Sequence, residues 1–321
     1  MTTNRTRTAT AAVAALAALT LAACSSSTGS GSTASSSSST GASPALSGTV
    51  TVFAAASLQG TFTDLGKKFE AAHPGTKVTF NFNGSSTLAQ NIVQGAPADV
   101  FAAASPATMK TVSDAKDTAS DPKVFVRNTL EIAVPKGNPK HIAALKDLAA
   151  PGVKVALCAP QVPCGAAALT ALKAGNVSLT PVTQEQDVKS ALHKVELGEV
   201  DASVVYHTDV QADAAKIDGV DFPEAAKAVN DYPIADLAKA PNPAAAKAFV
   251  AFVESAEGQQ VLTAAGFQSP TAGGSAAPST GASGSASAAP SSGTSGSASA
   301  ASSSGASGSA SAAPSTGATA S

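Results

Sequence analysis

Apolar and polar positions between residues 48 and 268 switch repeatedly between a period of two and a period near 3.6. Thr49-Val50-Thr51-Val52-Phe53 is β-rich and reads as a strand, and Ala54-Ala55-Ala56-Ser57 leads on into a helical pattern. Leu58, Phe62, Leu65 and Phe69 share one helical face, which His73-Pro74-Gly75 brings to a stop. Lys77 to Phe82 alternates like a half-buried strand, Asn83 to Thr87 reads as a turn and cap, and Leu88, Ile92 and Val93 mark a second helix. A buried strand follows over Ala98–Ala103. Further strands are predicted near Thr129–Val134, Val153–Leu157 and Ala202–Tyr206. Helices are predicted after Cys164-Gly165, around Val188, Leu192 and Val195, and over Ala244–Ala265. Strands alternating with helices predict an α/β architecture with mostly parallel sheets. Ligands in such folds sit beyond the carboxyl ends of strands, where helix N-termini converge.

Outside this region the pattern disappears. Thr271–Ser321 contains only Ser, Ala, Gly, Thr and Pro, and Ser25–Ser47 adds only Leu46 to that set. Such segments have too little apolar surface to offset the entropy of folding. The tail repeats with a period too short, and residues too small, for a solenoid core.

The first residues carry Arg5 and Arg7, then a short apolar run from Ala11 to Ala23, then Leu21-Ala22-Ala23-Cys24. This is the layout of an export signal whose cleavage leaves Cys24 as a lipidated first residue. The expected organisation is a lipoprotein signal peptide over 1–23, a Ser/Gly-rich tether over 24–47, a folded part over 48–269 and a disordered repeat tail over 270–321. The protein is then exported and held on the extracytoplasmic face of the membrane by its lipid.

Charge narrows the function. Two of the 20 Lys and Arg lie in the signal, so the folded part sets 18 against all 22 Asp and Glu, net −4. Nucleic acid, which needs a basic patch, is not an expected partner. Arg127 is the one arginine of the folded part, so a site built on arginine clamps is not expected. Cys158 and Cys164, in Leu-Cys-Ala-Pro-Gln-Val-Pro-Cys-Gly, predict a disulfide in an exported chain. A metal site there is the weaker option, since the spacing is not a zinc pattern and His73, His141, His193 and His207 do not cluster with it. The folded part has no G-x-S-x-G elbow, Walker motif or H-E-x-x-H, which argues against an enzyme.

Candidate chemistry gathers at predicted helix starts. Ser57, Ser85 and Ser86 are placed as N-caps, while Cys164 and Val188 fall in first turns. Helix N-termini offer free N–H groups and a partial positive end, which suit an anion. A serine before a helix is ordinarily only a cap worth ~1 kcal/mol. A tyrosine at a strand end, such as Tyr206, is ordinarily core.

Three motifs change that weighing. Thr51-Val-Phe-Ala-Ala-Ala-Ser-Leu, Gly84-Ser-Ser-Thr-Leu-Ala and Gly95-Ala-Pro-Ala-Asp-Val-Phe, in this order and spacing, closely resemble the periplasmic molybdate-binding proteins of ABC transporters. The likeness runs on through Asp187-Val188, Val204-Val205-Tyr206 and Gly266-Phe267. It implies a type II periplasmic-binding-protein fold: two lobes, each a mostly parallel sheet flanked by helices, joined by a hinge. Lobe 1 would span about 48–128 and 232–269, and lobe 2 about 129–231, with crossings near Arg127–Val134 and Asn230–Pro233. The resemblance further implies an oxyanion held in the cleft by Ser57, Ser85, Cys164, Val188 and Tyr206. Ser57 and Ser85 would give hydroxyls (a one-residue shift to Ser86 stays open), Cys164 and Val188 backbone amides, and Tyr206 its phenol. Cys164 stands where the family often has Ala, and His207 where it often has a small residue. The implied ligand is molybdate or tungstate, with no cofactor and no metal bound directly. The implied partners are the permease and its ATPase, to which the protein comes as a monomer. Sulfate or another tetrahedral oxyanion is the rival ligand, and a surface role for the repeat tail is a further alternative.

Overall fold

The computed structural model describes residues 46–271. The expected signal peptide and the lipidation at Cys24 lie outside the described residues, as do the tether and the tail apart from residues 46–47 and 270–271. No helix among the described residues is long and apolar enough to cross a membrane.

The chain begins with β1 (Gly48–Ala55), α1 (Gln59–Ala72), β2 (Thr76–Asn83), α2 (Ser85–Val93), β3 (Val100–Ala102), α3 (Pro106–Asp114) and β4 (Lys123–Asn128). It then passes through β5 (Leu130–Pro135), β6 (Val155–Cys158), α4 (Pro163–Ala174), β7 (Thr183–Glu185), α5 (Val188–Glu196), β8 (Ala202–Tyr206), α6 (His207–Ala212) and β9 (Ile217–Val220). It closes with β10 (Asn230–Asp236), α7 (Pro243–Glu254) and α8 (Ala256–Ala264). Two five-stranded sheets result, ordered β2-β1-β3-β10-β4 and β7-β6-β8-β5-β9.

The sheets are mixed rather than mostly parallel. In the first, β1 pairs in parallel with β2 and β3, whereas β10 runs antiparallel to β3 and β4. The second repeats the arrangement, with β6 parallel to β7 and β8, and β5 antiparallel to β8 and β9. Parallel neighbours need a crossover of about a dozen residues or more, usually a helix. The strands that carry the chain between sheets have none: Thr129 alone separates β4 from β5. The return enters the first sheet with β10 at Asn230, just before the expected boundary at 232.

The predicted faces of α1 pack as expected. Phe62, Leu65 and Phe69 are buried, with Phe62 5.9–6.3 Å from Phe80, Phe125 and Phe249 and Phe69 5.3 Å from Phe249. This cluster ties the first helix to α7, near the end of the fold. Asp99, from the third motif, is buried and structural. Its carboxylate accepts from Thr51 N at 2.7 Å and from Asn242 N at 2.6 Å, clamping β1 to the start of α7. Elements without strong periodicity escaped the sequence reading, namely α3, β4, β7, α6, β9 and, as a strand, β10.

The crossing is held by hydrogen bonds. Asn128 Nδ2 donates to Thr208 Oγ1 at 2.8 Å, and Thr129 O accepts from His207 N at 2.9 Å. Arg127 pairs with Gln268 through both backbone groups at 2.9 Å and with the Asp231 carboxylate at 2.7 Å. The one arginine of the folded part is thus committed to bracing the crossing between the sheets.

Candidate functional site

Between the two sheets lies a small, tight cavity of about 20 Å³. Its wall brings Ser57, Ser85, Cys164, Val188 and Tyr206 together, with Asn83, Gly84, Ala104 and Asp187 among their neighbours. No lysine or arginine belongs to that lining.

Each candidate arrives by a local rule. Ser57 lies in the tight turn Ala56–Leu58 that joins β1 to α1, so it is not an N-cap. Its hydroxyl instead meets the Tyr232 phenol at 2.9 Å. Ser85 is the first residue of α2, whose N-cap is Gly84, so it too is no cap. Ser85 Oγ accepts from Ala104 N at 3.0 Å. A hydroxyl that accepts still has its own proton to give. Displaced from capping, both serines keep hydroxyls at the cavity wall.

Ser86 does something different: its Oγ donates to Gln161 O, across the cleft, at 2.8 Å. It latches the lobes while Ser85 faces the cavity. Gly84 marks the same closure, since a Cβ built there would overlap the carbonyl of Gln186 on the opposite lobe.

Lobe 2 contributes two helix starts. Cys164 follows Pro163 in the first turn of α4 and is joined by a disulfide to Cys158 at the end of β6, their Cα atoms 5.7 Å apart. The bond removes the thiol as a metal ligand and leaves the backbone amide as the group Cys164 can offer. Val188 opens α5, and Asp187 is the N-cap, its carboxylate accepting from Ser190 N at 2.9 Å and Ser190 Oγ at 2.8 Å. The first N–H groups of both helices have no partner within the helix. Their dipoles favour negative charge in the cavity.

Tyr206 is fully buried, and its phenol oxygen accepts from Asn230 Nδ2 at 3.0 Å. Asn230 also donates to Ala104 O at 2.7 Å. Burial pushes the phenols of Tyr206 and Tyr232 up, so both stay protonated and able to donate. These are the two tyrosines of the whole chain, with ring centroids 5.9 Å apart. A network therefore runs from Ser85 through Ala104 and Asn230 to Tyr206, and a second arm joins Ser57 to Tyr232. Asn230 and Tyr232 lie on β10, the strand by which the chain returns to the first sheet. The sequence reading missed both as site residues, although it marked their segment as a crossing. The scarcity of tyrosine was the available signal.

Positive charge near the site is already spent. Burial pulls the Lys189 ammonium down, but Asp209 at 3.1 Å and Asp213 at 3.3 Å outweigh it and hold it charged. Asp209 also accepts from Tyr206 N at 3.2 Å. A wider groove of about 740 Å³, partly lined by Lys67, Lys68 and Lys189, opens beside α1 and α8. Its lysines are paired, Lys67 with Asp64 and Lys68 with Glu257. The arrangement of the small cavity suits a compact anion that needs donors and no counter-charge.

Comparisons with known proteins agree with this geometry. The profile of a family described as bacterial extracellular solute-binding protein matches residues 50–268. The chain is 46% identical over 221 residues to molybdate-binding protein ModA of Mycobacterium bovis, covering 69% of this chain and 85% of that protein. It is 31% identical to molybdate-binding protein ModA of Escherichia coli, over 68% of this chain and 89% of that one. Its fold matches the periplasmic molybdate-binding protein of Azotobacter vinelandii with a TM-score of 0.62 at 20% identity, covering 69% of this chain and 100% of that one.

Proposed function

The chain belongs to the bacterial extracellular solute-binding proteins, and from that premise we propose that it captures molybdate outside the cytoplasm and delivers it to an ABC transporter permease and its ATPase. It is a binding protein, not an enzyme. Tungstate, of the same shape and charge, is held in the same way. The ligating groups are the hydroxyls of Ser57 and Ser85, the backbone amides of Cys164 and Val188, and the phenol of Tyr206. The observation that carries this reading is the cavity itself, lined from both sheets by uncharged donors with no lysine or arginine.

Molybdate is fully ionised at neutral pH and asks only for donors. Phosphate keeps a proton near neutrality and asks for an acceptor as well. The one carboxylate in the lining, Asp187, already accepts with both oxygens from Ser190. Sulfate is also a bare dianion but smaller, so discrimination against it rests on how closely the donors shut around the ion. Contacts made only when the lobes are closed let the ligand shift the open–closed balance. The Ser86–Gln161 bond adds to that closed state. The signal over 1–23 exports the chain, a lipid on Cys24 holds it at the membrane, and the tether over 24–47 gives it reach. The repeat tail over 270–321 takes no part in binding.

Calorimetric titration of the full chain with molybdate, tungstate, sulfate and phosphate tests the reading. The expected result is one tight site for molybdate and tungstate, weaker binding of sulfate and no heat with phosphate. Equal affinity for sulfate and molybdate would overturn it.

A further inference from the structure

Away from the oxyanion cavity, three side chains that can ligate metal meet on the second sheet. Glu131 lies on β5, His207 opens α6 and Asp221 follows β9. One ligand atom from each falls within 4.8 Å of the other two. His207 Nδ1 stands 2.7 Å from Glu131 Oε2. His207 Nε2 stands 2.8 Å from Gln211 Nε2, one helical turn on. The Glu131 side chain is more than nine-tenths buried, His207 is part-exposed and Asp221 is exposed, so the group opens to solvent on one side.

Two features need explaining beyond an ion pair. The first is room: a Cβ at Gly219 on β9 would overlap Glu131 Oε1, so the carboxylate occupies a space that only glycine leaves free. The second is Asp221. Its carboxylate is brought within 4.8 Å of the Glu131 carboxylate, one acidic group set against another. A Glu131–His207 pair accounts for two members and makes the third unfavourable.

We propose that Glu131, His207 and Asp221 bind a first-row divalent cation of the zinc type, at a site distinct from the oxyanion cavity. One imidazole nitrogen and two carboxylate oxygens form a borderline donor set that suits zinc, whereas magnesium prefers oxygen and water alone. The two acidic charges match a dication and remove the repulsion between Glu131 and Asp221. With Nδ1 on the metal, the imidazole proton sits on Nε2, and a half-turn of the Gln211 amide brings its oxygen round to accept that proton. That outer hydrogen bond fixes the ring, as partners of metal-bound histidines commonly do. The cation would join β5, α6 and the end of β9 just after the Thr129 crossing. His207 directly follows Tyr206, so the cation braces the segment that presents that phenol.

The test is titration of the chelator-stripped full chain with zinc chloride, followed by calorimetry. One equivalent of zinc per chain is expected. His207→Ala and Asp221→Asn are each expected to weaken uptake by roughly tenfold or more, and Asp221→Asn to keep the parent's melting temperature in chelator. Zinc uptake by the parent no greater than that of His207→Ala would overturn the proposal and leave the three residues as an ion-pair cluster. Because no oxyanion enters this experiment, its failure is separate from any failure of molybdate binding.

Discussion

The two lobes share one strand plan and fill it with different side chains. Both sheets set three parallel strands beside two more strands joined on by antiparallel pairing. Lobe 1 is packed with aromatic rings: Phe62, Phe69, Phe80, Phe82, Phe125, Phe249 and Phe252 form one linked cluster. Between residues 129 and 229 the sequence has a single phenylalanine, Phe222. The core there is aliphatic, with Ile132, Val155, Leu157, Leu172, Leu192 and Val204 buried, and a disulfide ties β6 to α4. The topology therefore does not depend on a particular core chemistry. What both lobes keep is a turn or helix start at the end of a strand, aimed at the shared cavity. Lobe 1 presents Ser57 and Ser85 there, and lobe 2 presents Cys164, Val188 and Tyr206.

The difference can be broken one lobe at a time. The largest effect is expected in lobe 1. Phe249→Ala removes a fully buried ring from the aromatic cluster and should destabilise the fold by about 3–5 kcal/mol, measured by denaturant unfolding. A loss below ~1 kcal/mol would show that the cluster is not what closes lobe 1. Next comes the bridge between the lobes. Tyr206→Phe keeps the ring and removes one donor to a charged ligand, so molybdate affinity should fall by about 1.5–3 kcal/mol by calorimetry. Unchanged affinity would remove Tyr206 from the site. The smallest effect belongs to lobe 2. Replacing Cys158 and Cys164 together by Ser opens a short ring and should cost about 2 kcal/mol of stability by loop-closure arithmetic. The Cys164 amide remains, so molybdate should still bind to the doubly substituted chain. Abolished binding in a folded variant would mean that the disulfide, and not the helix start, holds that donor in place.

The sequence made some of this legible and hid the rest for physical reasons. Regular periodicity exposed α1, α2, α5 and the parallel strands other than β7, because each buries one face against a neighbour close in sequence. The crossing strands were harder to read. β4 and β10 owe their pairing to partners about a hundred residues away, and nothing local says that they run antiparallel. The five candidates were found through strand-to-helix positions and a family resemblance, and they line one cavity. Their supports were not visible. Ser57 meets Tyr232 across 175 positions, and Ser85 reaches Asn230 only by way of Ala104. Position before a helix also misled: it made Ser57 and Ser85 look like caps, whereas tertiary partners claim their hydroxyls. The caps that form, at Ser105, Asp187, Asn242 and Ser255, stand at other helix starts.

The central claim is that neutral donors from both lobes suffice to hold a doubly charged oxyanion. Anomalous diffraction at the molybdenum edge from crystals of the molybdate complex tests it most directly. The expected map has one strong peak between Ser57, Ser85, Cys164, Val188 and Tyr206, its oxygens about 2.7–3.2 Å from those donors. A peak in the wider groove against Lys67, Lys68 or Lys189, with the small cavity free of molybdenum, would contradict it.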